Sequence, residues 1–217
     1  MKSTRDTIYD ELRHRLTHGH YPQDASLVPL ALSEEFAVSR TPVREALALL
    51  EQDGLLVGTR RGFALRQRSD EEMLELFELR AVLDAMTASA AARRRSPVDL
   101  ARLDALVAQA GSLDDPAEIR RSLNEWHDTV RSAAHNSTVT SLLHTVDAQV
   151  KTSAPWRTVT VDDTFDATLA EHRAITEAIR DQDAEAARLR MLAHHEHDRD
   201  TRIRQRVRRD ERGAALP

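Results

Sequence analysis

With 217 residues, 41% of them hydrophobic but only 4% aromatic, the chain has the length for one large or two small domains and the composition of packed helices rather than sheets. It contains no cysteine, which excludes disulfides and thiolate-bound metals, and no apolar run near the roughly 18–20 residues that a bilayer-spanning helix needs. The N-terminus lacks the apolar core of a signal peptide, so the expectation is a soluble, cytoplasmic protein with no membrane partner. The net charge of −5 is unevenly divided. Residues 1–68 hold ten Lys/Arg against nine Asp/Glu, whereas the rest hold 21 against 27, so the acidity sits in the second part and neither proves nor excludes nucleic-acid binding by the first.

Taken in order, Thr7–His18 places Ile8, Leu12 and Leu16 at four-residue steps, which predicts a short amphipathic helix broken by Gly19. Leu30–Phe36 predicts a second helix, and Ala37-Val38-Ser39 a tight turn. The stretch Ser39–Leu56 follows. There Val43, Leu47 and Leu50 fall on one stripe, Pro42 suits the first helical turn, and Ser39 or Thr41 can cap the N-terminus. Arg40 and Arg44 stand one turn apart off the buried stripe. A helix start carrying two guanidinium groups and small hydroxyls is suited to phosphates and to guanine edges in a major groove. Two short helices about a three-residue turn make a helix-turn-helix, with the second helix as the reader. Leu55–Arg66 then has apolar pieces on either side of Arg60-Arg61, bounded by Gly58 and Gly62. That pattern predicts a β-hairpin whose basic tip can reach phosphates or the minor groove.

Residues 7–66 resemble the winged helix-turn-helix of GntR-type bacterial transcription regulators. The resemblance rests on Ile8, Leu12, Gly19 and Leu27, on the run Val38-Ser39-Arg40-Thr41-Pro42-Val43-Arg44-Glu45-Ala46-Leu47, and on Gly54-Leu55 and Gly62. It implies DNA contacts through Arg40, Thr41, Arg44, Arg61 and Gly62, to which Ser39 and Arg60 are added as neighbours on the same two elements. Asp24 stands where the family often has Gly, and Leu30 where some members carry a basic DNA contact.

Arg66–Asp70 has no apolar periodicity and reads as a linker, dividing a DNA-binding domain over 1–66 from an all-helical one over 71–217, with 67–70 between them. The predicted fold class is therefore mainly α: an N-terminal winged helix-turn-helix with a small hairpin wing, then a helix bundle. A long helix is expected from Ser69 or Asp70 to Arg94, with Met73, Leu76, Phe77, Leu79, Leu83 and Met86 as its apolar stripe. Further helices are expected from Ser96-Pro97 to Ala110, Asp115-Pro116 to Ala134, Thr138 to Lys151, Asp163 to Arg180 and Ala184 to Arg208, with 154–160 irregular. His127, His172 and His194 lie on three different helices. Imidazoles aimed into a bundle from three helices could hold a first-row divalent ion, although a lone helical His is more often a surface or satisfied core residue.

Residues 70–208 resemble the all-helical effector domain, called FCD, of the FadR branch of GntR regulators. Glu78-Leu79-Arg80, Trp126-His127 with Asn136, Glu171-His172-Arg173-Ala174-Ile175, and His194 carry the match. The resemblance implies a metal, zinc, nickel or similar, bound by one Asp and three His. The histidines carry over to His127, His172 and His194, but Leu123 stands where the Asp would be. Asn124, three residues before His127, lies on roughly the same helix face and is the candidate substitute. Arg80 and Arg157 are candidates for gripping an effector carboxylate.

The leading expectation is a homodimeric regulator, not an enzyme, that binds a pseudo-palindromic double-stranded operator under control of a small organic acid. Two alternatives share the histidines: a metal-sensing regulator, and a hydrolase with a three-His metal site. The hydrolase would need a base, and both Glu171 and Asp128 project about 100° away from the histidine beside them. The arginines of residues 198–213 read as a solvated helix end.

Overall fold

The computed structural model describes residues 2–153 and 165–214, with side chains through 208, and separates into two compact units. The first contains residues up to Leu76 together with the end of the seventh helix, from Thr145. Helix α1 (Thr4–Thr17) is capped by the Ser3 side chain, which accepts from the Asp6 N–H, and it buries the expected Ile8, Leu12 and Leu16. After it come β1 (Ser26–Leu27), α2 (Pro29–Glu35), α3 (Arg40–Gln52), β2 (Leu56–Thr59) and β3 (Gly62–Leu65). Val43, Leu47 and Leu50 of α3 are fully buried against α1, so the stripe read from the sequence faces the core. Ser39 has the extended backbone of an N-cap, but its side chain makes no capping hydrogen bond. That corrects the expected cap.

The three strands pair antiparallel in the order β1-β3-β2, with Ser26 opposite Ala64 and Leu56 opposite Leu65. Two-residue β1 has no periodicity to betray it; it is a strand only because β3 offers a free edge. The pairing places Gly62 against β1. Gly62 has φ +147°, and a Cβ there would lie 2.4 Å from the Leu27 carbonyl oxygen. Near its C-terminus the seventh helix, α7 (Ser137–Thr152), adds to this unit: Ala148 enters its core and Gln149 Nε2 donates to the Asp53 carbonyl at 2.8 Å.

The second unit contains α4 (Asp70–Arg94) from Phe77 onward, α5 (Pro97–Ala110), α6 (Pro116–Ala133), the start of α7, α8 (Phe165–Arg180) and α9 (Ala184–Ala214). Local chemistry explains the starts. Ser96 and Asp99 form a reciprocal capping box ahead of Pro97, and the Asp115 side chain accepts from Ala117 N–H ahead of Pro116. Leu103, Leu106, Trp126, Val130, Ile175, Ile179 and Met191 make the core.

Helix α4 departs from expectation. Leu79 and Met86 are 46% and 43% exposed, while Ala81, Ala85, Ala88, Ala91 and Ala92 are buried beside Asp84. Small side chains let neighbouring helices approach closely, and Asp84 can go inside because it has charged partners there. Of the stripe read on the large apolar residues, Met73 and Phe77 are buried as expected and Leu76 and Leu83 half-buried, so the pattern fails only at Leu79 and Met86. The irregular stretch expected at 154–160 lies outside the described residues.

Replacing Gly62 with Ala should destabilise the first unit by about 1–3 kcal/mol, through positive-φ strain and collision with Leu27. Thermal unfolding followed by circular dichroism would show it, and an unchanged midpoint would contradict the close approach.

Candidate nucleic-acid interface and histidine centre

The first unit presents its basic residues outward. Ser39, Arg40, Thr41 and Arg44 are all exposed at the first turns of α3, and Arg60 and Arg61 are exposed at the β2–β3 turn. Among the described residues no carboxylate pairs with any of these four guanidinium groups, so their charge is available to an anionic partner. Gly62 is different. Half-buried against β1, it shapes the wing through its backbone.

The second unit brings the three predicted histidines together. His194 Nε2 lies 3.4 Å from His172 Nε2 and 3.3 Å from His127 Nε2, and the donor atoms of all three lie within 4.8 Å of one another. Each histidine comes from a different helix: α6, α8 and α9. His172 is fully buried, and its ring stacks on Trp126 with centroids 3.9 Å apart. The Trp126 indole is fixed in turn, its Nε1–H donating to Thr176 Oγ1 at 3.0 Å. Burial, followed by the neighbouring imidazoles, pushes His127 and His172 well below the ordinary 6.5, so both are neutral near pH 7. Neutral imidazoles offer lone pairs, and three lone pairs facing one another repel unless a proton or a cation lies among them. A tetrahedral ion about 2.0–2.1 Å from each nitrogen would hold its ligand atoms roughly 3.3–3.4 Å apart. The two close spacings match that, so the donor set fits a zinc-like divalent ion.

Two carboxylates hydrogen-bond to histidines of this cluster, and a third, Asp198, interacts with His194 electrostatically. Glu171 accepts from His194 Nδ1 at 2.7 Å and from His197 Nδ1 at 2.6 Å. Burial opposes its ionisation, but the two imidazole hydrogen bonds outweigh that and hold it below 4.5. The sequence geometry was right that Glu171 and His172 diverge; the side chain instead crosses from α8 to α9. Asp84, 1% exposed, takes a bidentate pair from Arg131, itself 2% exposed, at 2.8 and 2.7 Å. His195 Nε2 lies 2.9 Å from the same carboxylate. Burial works against the Asp84 charge, yet Arg131 and His195 keep it well below the usual carboxylate range, while burial drives His195 down to about 4. Asp84, His127 and His195 form a second group with donor atoms near one another.

The remaining predicted contacts are scattered. Arg80 is buried and pairs with Asp198 at 2.5 Å, beside Arg202 and over the Phe77 ring, so its guanidinium already serves a carboxylate of this chain. Leu123 is buried in the apolar core and Asn124 is exposed. Arg157 lies outside the described residues. Several arginines of α9 pair along their own helix, Arg199 with Asp200 and Arg202 with Asp198, as a solvated helix end would. Sequence reading weighed Glu171 only as a base and set it aside, and it did not place Asp84, Arg131 or His195 beside the centre. Their one signal was polar residues on faces that the apolar periodicity assigns to the core.

A winged helix-turn-helix with unpaired arginines on its reading helix, joined to a helix bundle enclosing a polar centre, is the architecture of a DNA-binding regulator. The chain belongs to the GntR family of bacterial regulatory proteins: the gntR family model matches residues 4–64, and the FCD domain model residues 75–197. It is 27% identical over 196 residues to the HTH-type transcriptional regulator YdhC of Bacillus subtilis, covering 88% of this chain and 87% of that one. It is 28% identical over 190 residues to the HTH-type transcriptional regulator LutR of the same organism, covering 76% and 84%. The fold is similar to that of E. coli McbR/YncC, with a TM-score of 0.81 at 20% identity over 94% of this chain and 99% of that one.

Arg40→Ala and Arg44→Ala should each weaken operator binding by about 1–3 kcal/mol without moving the melting temperature, as read by fluorescence anisotropy on a labelled duplex. The ion-free protein should also lose stability on mild acidification. Between pH 6.5 and about 4 the unfolded chain protonates His195 while the folded one does not, so stability falls as pH falls. The loss at pH 4 is about 3 kcal/mol from this group alone. His127 and His172 act in the same direction. Urea unfolding at pH 7, 5.5 and 4 measures it, and a flat profile would exclude buried neutral histidines.

Proposed function

We propose that this transcription regulator binds a pseudo-palindromic operator as a homodimer, in the cytoplasm where its DNA target lies, and that its affinity is set at the histidine centre. The observation that carries the reading is the convergence of His127, His172 and His194 Nε2 atoms from three helices. In that reading a zinc- or nickel-like divalent ion occupies the trio. With three neutral ligands the ion keeps its full charge, and a small organic acid completes its coordination. A carboxylate is the chemistry that a positively charged, incompletely ligated ion selects. Support for a dimer comes from α4, where Leu79, Val82 and Met86 are exposed at helical spacing, an apolar stripe that a second copy would cover. The hydrolase alternative loses ground because both Glu171 oxygens are engaged by imidazoles and do not face a metal-bound water.

By linkage, ion and acid together must alter DNA affinity by the factor that DNA alters theirs. We expect purified protein to carry close to one divalent ion per chain, His172→Ala to lose it, and a short-chain hydroxy or keto acid to change operator affinity by about 5–150-fold only in the ion-loaded protein. Elemental analysis and anisotropy titrations with and without chelator read all three. An acid effect that persists in His172→Ala would separate the effector from the ion, and an ion effect that needs no acid would make the metal itself the signal.

A further inference from the structure

A divalent ion on three neutral imidazoles in a buried site needs a negative charge nearby, and Leu123 supplies none. Three carboxylates stand near the trio. Asp198, close enough to His194 for the two to interact electrostatically, is already paired with Arg80 and Arg202. Asp84 has both oxygens on Arg131, at 2.8 and 2.7 Å, so its charge is already cancelled by a buried cation. Adding a second positive charge beside Arg131 would be unfavourable at low dielectric. Glu171 is in the opposite position. The groups hydrogen-bonded to it are imidazoles, His194 at 2.7 Å and His197 at 2.6 Å, and in both the contact is through Nδ1. A carboxylate accepting from His194 Nδ1–H fixes the proton on that nitrogen and leaves Nε2 as the lone-pair atom, the atom that faces His127 and His172. Neither His127 nor His172 has such help, since their buried Nδ1 atoms have no hydrogen-bond partner among the described residues.

We propose that Glu171 is the positioning residue of this centre: its carboxylate, acting through the His194 ring, sets the tautomer and supplies the negative charge that lets a three-histidine site hold a divalent ion. The proposal rests on the metal reading above and adds to it where the compensating charge resides. Because that charge is transmitted through His194 and makes no bond to the ion, the ion's open coordination face remains available to an anion. His197 anchors the second oxygen of Glu171 and keeps the carboxylate turned toward α9.

The test is equilibrium competition for Zn2+ against a chromophoric chelator, paired with the visible spectrum of the Co2+-loaded full-length protein. Glu171→Gln keeps an acceptor for His194 and removes the charge. It should weaken Zn2+ binding by about 10–100-fold and shift the Co2+ ligand-field bands. Glu171→Asp should recover part of the affinity, and Glu185→Gln, the same charge change on the exposed side of α9, should match the unaltered chain. Should Glu171→Gln fail to fold, Glu171→Asp carries the test, with an intermediate affinity expected. A Glu171→Gln protein that binds Zn2+ within twofold of the unaltered chain, with the same Co2+ spectrum, overturns the role of Glu171 and leaves the metal reading standing. An unaltered chain that takes up neither ion overturns both.

Discussion

Three imidazole nitrogens turned toward one another in a helix bundle are a repulsive arrangement unless something positive lies among them. The molecule is built so that they cannot turn away. Trp126 stacks on His172 and is itself tied to Thr176. Glu171 grips the far side of His194. His127 sits one residue from Trp126 on α6, so the helix that places the indole in the core also places the imidazole at the centre. Each of these contacts belongs to the packing or hydrogen bonding of the bundle, so the rings are held from the protein side.

The same bundle accommodates a second set of polar groups by neutralising them. Asp84, Arg131 and His195 are buried together, and a buried ion pair is seldom a net gain over apolar packing because desolvation consumes most of the attraction. What such a pair does is penalise any rearrangement that separates its members. The alanine-rich face of α4 makes this possible, since small residues around Asp84 let Arg131 of α6 and His195 of α9 come within hydrogen-bonding range. The charge that the centre could otherwise borrow from Asp84 is spent on Arg131, and Glu171 is left as the carboxylate with only imidazole partners.

The DNA-reading unit follows a simpler logic. A buried stripe on α3 turns Arg40 and Arg44 outward, and a glycine just after the turn of the wing lets β3 approach β1 closely enough to close a three-stranded sheet. Packing in this unit decides what faces the solvent, and the exposed arginines decide what can bind there.

Much of this was legible in the sequence because it depends on neighbours in the chain. Capping residues and prolines marked where helices such as α4 and α5 begin, and the helical spacing of apolar residues in α1 and α3 gave their buried faces. The three histidines could be singled out, but their convergence is a property of three helices separated by dozens of residues. The face of α4 was read correctly at Met73 and Phe77 but not at Leu79 and Met86, because periodicity counts large apolar side chains, whereas the later turns pack through alanines and paired charges. Arg80 could be singled out too, but its pairing with Asp198, more than a hundred residues away, is set only by folding. Local order lies in the sequence because turns and caps are settled over a few residues. Which carboxylate serves the histidine centre was decided only by tertiary structure, since the charge balance of a buried site depends on groups that nothing but folding brings together.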